Sequence, residues 1–134
     1  YEISCSLVGS EMCIRDSQYA GGIGTHYQFN EKQLAMAEEK IKKLQILAKG
    51  LAAADMHELM FIYELKERLT VCLTVIAHLR ARKETRWHSF AENLDYPEKS
   101  DAWLCYVNSK KNGDQITMIR RDLVKGGETY EHRD

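Results

Sequence analysis

Proline occurs once in the 134 residues, at position 97, and the four cysteines form no C-x-x-C pair. A single proline leaves long stretches free to be helical. The cysteine pattern excludes a disulfide framework and a cysteine-ligated zinc site, and it fits a reducing, cytoplasmic setting. Long apolar runs are missing as well. The most apolar stretch, residues 69–79, is far shorter than a bilayer span and is interrupted by Thr70 and Thr74, so no direct membrane insertion is expected. Charge of one sign is absent too: the formal net charge is -1, which gives no reason to expect nucleic acid or an acidic membrane surface as a partner. His26, His57, His78, His88 and His132 never fall at the H-x-x-x-H or H-x-x-E spacing of a metal site. No nucleophile, base and orienting group recur at a usable spacing, which argues against a small independent enzyme.

What is there begins oddly. The opening YEISCSLVGSEMCIRDS has no helical or strand period, no initiating Met and no signal-peptide pattern. It resembles a translated sequencing-adapter read-through, so residues 1–17 are expected to be non-native and the remainder to be the surviving tail of a longer protein. Without the tract's three acids and one base, 17 acids and 18 bases remain, and the net charge becomes +1. Cys72 and Cys105 are then the only cysteines. The remaining length suits one small domain, or one lobe of something larger.

The elements follow from spacing. After the Gly-rich, aromatic QYAGGIGTHYQFN comes Asn30, with Gln33 three residues on, the pattern of a capping box. GGIG at 21–24 lacks the last Gly of a dinucleotide fingerprint and is read as a flexible join. Tyr27 and Phe29 are read as a hydrophobic staple rather than a ligand stack. Leu34, Ala37, Ile41, Leu44 and Leu47 predict one helical stripe, ended by Gly50. Asp55 and Glu58 repeat the cap spacing before a second helix of roughly 28 residues, about 42 Å long. Its first half is amphipathic, with Leu59, Tyr63 and Leu69 on the apolar side. Its second half, 69–79, is apolar nearly all round, which predicts burial on every side. One partner helix cannot supply that cover, so the domain is expected to pack within a larger assembly. Beyond Glu84 the stretch WHSFAENLDYPEKSDAW reads as irregular. WLCYVNS and QITMIRR flank KKNGD, and Asn112-Gly113 predicts a hairpin turn. The expected fold is mainly α: a bundle of two long antiparallel helices with an irregular segment and a C-terminal β-hairpin. The expected domain runs from 18 to 121, with a disordered tail over 122–134.

The sharpest feature is RARKETRW, residues 80–87. Four bases at a helix C-terminus complement the helix dipole. Arg86 beside Trp87, followed by Glu92, Asp95, Glu98 and Asp101, also gives a planar guanidinium a supply of carboxylates for bidentate pairing. This predicts a latch that holds the irregular segment onto the helix end. A nucleic-acid site would spread its bases along a face without those acids.

The run HELMFIYELKERLTVCLTVIAHLRARKETRW, followed by DYPEKSDAW, resembles the C-terminal helical domain of the flavoprotein subunits of succinate dehydrogenase, fumarate reductase and adenylylsulfate reductase. Arg82, Glu84, Thr85 and Arg86 match the family pattern R-x-E-S/T-R. Asp95, Tyr96, Pro97, Asp101 and Trp103 match its D-Y-P-x-x-D and tryptophan. QYAGG resembles the join into that domain, so the resemblance covers about residues 18–121. Succinate dehydrogenases usually carry Gly-Ala-His where this chain has Trp87-His88-Ser89. ETRW and WLCYVNSKKNGD are closer to adenylylsulfate reductase alpha subunits, which leaves the substrate between a dicarboxylate and a sulfur nucleotide.

The resemblance implies an FAD-dependent oxidoreductase whose flavin and substrate-polarising residues lie upstream of this chain. The fragment itself would bind no cofactor and catalyse nothing. Its partners would be the parent's own FAD domain and an iron-sulfur electron-transfer subunit, and it would be cytoplasmic, reaching a membrane only through partner subunits. Arg82, Glu84, Arg86, Trp87, Asp95, Tyr96, Asp101 and Trp103 would be assembly or docking residues. The alternative from another class is a free-standing helical interaction module that homodimerises through its apolar second helix and docks an acidic partner on RARK.

Overall fold

The computed structural model describes residues 25–88, 91–113 and 115–124. The opening tract 1–17, the join 18–24 with its GGIG, and the end of the expected tail from 125 onward lie outside the described residues. The elements run β1 (Gln28–Phe29), α1 (Glu31–Lys49), α2 (Met56–Ala81), β2 (Glu92–Asn93), a 3-10 turn (Asp101–Trp103), β3 (Cys105–Asn112) and β4 (Gln115–Asp122). This is a mixed helix-and-sheet fold rather than a mainly helical one.

α1 starts where the spacing predicts. The Asn30 side chain accepts from the Gln33 backbone N–H at 2.8 Å, and Gln33 Oε1 accepts from the Asn30 N–H at 3.1 Å. The next orphan donor, the Glu31 N–H, is taken by the Asp95 carboxylate at 2.7 Å, so a distant residue completes the cap. Leu34, Ala37, Ile41, Leu44 and Ala48 are buried. The expected Leu47 is 62% exposed instead. The alternating steps of three and four residues carry the stripe to 48 rather than 47. Gly50 caps the helix at φ -85, a right-handed conformation open to any residue, and its N–H donates to the Leu47 carbonyl at 3.1 Å. The helix therefore ends at a glycine without using a glycine's freedom.

α2 is capped by the Asp55 side chain accepting from the Glu58 N–H at 2.9 Å, while the Glu58 carboxylate accepts from the Ala54 N–H. Ile62, Leu65, Leu69, Cys72 and Ile76 are buried, in the same three-four rhythm as α1. Two such stripes pack ridges into grooves along their length. Phe29 joins this core and shares it with Leu34, as a staple requires. One expectation fails on α2: Tyr63 is 60% exposed, because Ile62 and Leu65 hold the stripe. Within this chain the half from 69 to 79 lacks cover on one side, where Val71 is 60% exposed and Val75 is exposed as well. α1 and the hairpin leave the side of α2 that bears them open.

The helix also stops earlier than expected. Arg82 turns extended at φ -88 and ψ 109, so α2 ends at Ala81 rather than Glu84. The C-terminal turn of α2 lies beside the start of α1, where Arg80 pairs with both Glu31 and Glu38. The irregular segment contains an element that the sequence does not announce. β2 pairs in parallel with β1, Gln28 opposite Glu92 and Phe29 opposite Asn93. The hairpin is present, but Trp103 and Leu104 precede its first strand, and Asn112 pairs with Gln115. The two-residue link is therefore 113–114, not 112–113. Gly113 has φ +61, the left-handed value that the first position of such a turn demands. β4 reaches Asp122, the first residue of the expected tail.

Leu69 is completely buried and Leu47 is not, so the two make a matched test. Leu69→Ala is expected to cost about 2–5 kcal/mol, and Leu47→Ala less than about 0.5 kcal/mol, as read from denaturant midpoints.

Candidate functional site

The residues after α2 converge on one carboxylate. Glu84 has a fully buried side chain. Its Oε1 accepts from Arg82 at 2.6 Å and from Arg86 Nε at 2.9 Å, and its Oε2 accepts from a second Arg86 nitrogen at 2.9 Å. The Ser100 backbone N–H adds a fourth bond at 3.0 Å. Burial alone would raise the pKa of this group. The donors from Arg86, Ser100 and Arg82 outweigh it and hold the pKa at about 2.

Each arginine then reaches onward. Arg86 donates to the Ser100 carbonyl at 3.2 Å. Arg82 donates to the Trp103 and Cys105 carbonyls, both at 2.9 Å. The carboxylate thus ties the end of α2 to the 3-10 turn and to the first residue of β3. The bidentate partner of Arg86 is Glu84, two residues away, and not Glu92, Asp95, Glu98 or Asp101 as the sequence reading has it. Arg82 turns extended on leaving the helix, and bends at Glu84 and Arg86 follow, so both arginines reach the Glu84 carboxylate.

Next to this cluster Thr85 is buried and acts as a second peg. Its hydroxyl donates to the Tyr96 carbonyl at 2.8 Å and accepts from the Asn93 N–H at 2.9 Å, while its own N–H donates to the Glu98 carbonyl at 3.2 Å. The rest of the expected set is dispersed around the two pegs. Asp95 caps α1. The Tyr96 ring is half exposed, with the Lys83 ammonium 6.0 Å from its centroid. Asp101 opens the 3-10 turn. Trp103 lies between two guanidiniums, Arg120 at 4.3 Å and Arg82 at 6.0 Å from its ring centroid. Trp87 stands apart at 68% exposed, held only through its backbone bridge to Ala91.

Sequence reasoning passes over four participants. Ser100 and Asn93 contribute backbone groups, which no side-chain pattern reveals. Arg120 comes from β4 and also donates to the Ala102 carbonyl. Thr85 was legible only as the S/T position of the matched pattern. Among the described residues no group of three or more His, Cys, Asp or Glu is placed to hold a metal ion, and no helix is long and apolar enough to cross a membrane. Chemically, the arrangement is a charge-assisted clasp. Its carboxylate is saturated with donors and has no vacant lone pair aimed at a substrate.

No protein-family model matches the chain. The adenylylsulfate reductase subunit alpha of Megalodesulfovibrio gigas is 33% identical over 94 residues, covering 69% of this chain and 14% of that protein. The solved adenylylsulfate reductase of the hyperthermophilic Archaeoglobus fulgidus superposes with a TM-score of 0.79 at 37% identity, covering 87% of this chain and 19% of its own. A solved adenosine-5-phosphosulfate reductase in complex with sulfite gives a TM-score of 0.80 at 38% identity, with the same coverage. The chain therefore spans less than a fifth of the length of these relatives. Fold and sequence together show homology to part of an oxidoreductase subunit. Its homology is to the alpha subunit of adenylylsulfate reductase.

The depressed pKa of Glu84 fixes a pH dependence. Because the folded value lies below the ordinary 4.5, the carboxylate's contribution is complete above pH 4.5 and is lost as the pH falls toward 2. Glu84→Gln is expected to lower stability at neutral pH by about 3 kcal/mol and to flatten this acid limb. Urea titrations of both proteins across that range check it.

Proposed function

We propose that residues 18–121 are a C-terminal packing domain of a flavoprotein oxidoreductase alpha subunit, one that docks against the parent's FAD domain and an iron-sulfur subunit and is not itself catalytic. The observation that carries this reading is the open side of α2, on which Met60, Phe61, Tyr63, Val71 and Val75 are exposed around the charges Glu64, Glu67 and Arg68 while the opposite stripe is fully packed. Exposed apolar area of this kind marks a face that another surface covers. A chain matching less than a fifth of its solved relatives leaves ample protein to supply the cover.

FAD does not fit the residues present, since the dinucleotide-binding pattern G-x-G-x-x-G does not occur in the sequence. The flavin and the reacting groups belong upstream in this reading. The relatives' names favour a sulfur nucleotide over a dicarboxylate as the parent's substrate. α1 and α2 form an antiparallel pair, supported by Arg80 at the end of α2 meeting Glu31 and Glu38 at the start of α1. The Glu84 clasp with Arg82 and Arg86, the Thr85 peg, and the Asp95, Tyr96, Asp101 and Trp103 contacts set the irregular segment and the hairpin at one angle to that pair. Trp87, exposed beside the clasp, is a contact for the partner. The assembly is cytoplasmic and meets a membrane only through other subunits.

Co-expression of the full-length alpha subunit that contains this segment with its iron-sulfur subunit tests the reading. The two are expected to co-elute with bound flavin. A monodisperse homodimer formed by the isolated chain, with no affinity for an iron-sulfur subunit, would instead establish the self-associating module. Within the full-length subunit, Arg86→Ala is expected to weaken docking and to cost roughly 3–5 kcal/mol, because it strands a buried carboxylate. An unchanged melting temperature together with unchanged partner affinity would refute the role of the clasp.

A further inference from the structure

Between the helix pair and the tip of the β3–β4 hairpin lies a hollow of about 860 Å³. Lys42, Lys49, Lys66, Lys110 and Lys111 line it, and among the described residues no carboxylate does. Lys42 is paired with Glu38. Among the described residues the other four lysines make no ion pair. The floor is apolar, formed by Ile46, Leu69, Leu73 and Ile116.

The hollow does not end there. A second one of about 610 Å³ shares Lys42, Leu73, Gln115 and Ile116 with it and continues along α2 to Ala81. From Lys66 to Ala81 the helical rise gives a groove about 22 Å long, the span of roughly six or seven residues of extended chain. Ammonium groups gathered around one hollow repel each other, and a ligand bearing negative charge relieves that repulsion. No guanidinium lines the lysine-rich part, and it faces the C-terminal half of α1 and the middle of α2 rather than a helix N-terminus. The two devices that fix a phosphate are thus missing. A long groove with a lysine-rich rim over one half, the Glu38–Arg80 ion pair beside the other and an apolar floor suits a chain whose successive side chains point in opposite directions.

We propose that this groove binds an extended acidic segment of a partner polypeptide, its carboxylates on the lysine rim and its intervening apolar side chains on the floor. This rests on the reading of the chain as a docking domain, and it gives the partner's segment a chemistry.

The test is fluorescence anisotropy on the full chain with a labelled peptide of alternating glutamate and leucine. Binding is expected, it should weaken as salt is raised, and K66E/K110E/K111E should lose roughly tenfold or more in affinity. The same peptide with glutamine for glutamate should lose a similar factor. If circular dichroism shows the charge-reversed variant unfolded, K66Q/K110Q/K111Q takes its place under the same criteria. No binding, or equal binding by the variant or by the glutamine peptide, overturns the proposal. Inorganic tripolyphosphate binding more tightly than the peptide and displacing it overturns it in favour of a small-anion site. The assay needs neither flavin nor an iron-sulfur subunit. Peptide binding in a parent that fails to hold that subunit refutes the docking reading alone, and the converse result refutes the groove alone.

Discussion

Everything after the helix pair depends on the desolvation of one carboxylate. A buried charge without partners costs several kcal/mol, so Glu84 can occupy its place only while Arg82, Arg86 and the Ser100 N–H are all present. That requirement specifies geometry more than it adds stability. Arg82 and Arg86 have further donors, and these are spent on the carbonyls of Ser100, Trp103 and Cys105. A stretch with little regular structure is thereby fixed as firmly as a strand, and the hairpin inherits its direction from it.

The helix pair supplies the base for that clasp. Both helices bury residues at alternating steps of three and four, and Phe29 closes one end of the shared core. α2, like α1 with Ile46 and Leu47, carries apolar residues on its far side too. Nothing in this chain rewards their placement, since Val71 and Tyr63 are each 60% exposed. The arrangement fits a helix that sits between two layers, one supplied by this chain and one from outside it.

Much of this was legible in the residues. Asn30 with Gln33 and Asp55 with Glu58 marked both helix starts, because a cap is a local interaction between residues three apart. Gly113 marked the hairpin, although the pairing of Asn112 with Gln115 moved the turn by one residue. The latch residues were recognised as a group, yet their pairing was not. Arg86 was assigned to the acids that follow it, whereas the bent backbone after Ala81 brings Glu84 against it instead. The parallel pairing of β1 with β2 was invisible, for it joins two-residue strands far apart in sequence whose hydrogen bonds come from the backbone. Leu47 and Tyr63 were misplaced because apolar character alone cannot choose between neighbouring positions on a helix that is apolar on more than one side.

That small parallel pairing has a kinetic consequence. Gln28 and Glu92 are 64 positions apart, and both helices lie within the loop that their contact closes. The clasp around Glu84 spans at most 23 positions along the chain. Closing the long loop from an unfolded chain costs more entropy than closing the short one, by about 0.6 kcal/mol for each doubling of length. Once the helices have docked, much of that entropy is already lost and the ends stand near each other. The order of assembly therefore runs from the Glu84 clasp and the helix pair to the β1–β2 contact. The contact that encloses the most chain is the last to form and the first to open.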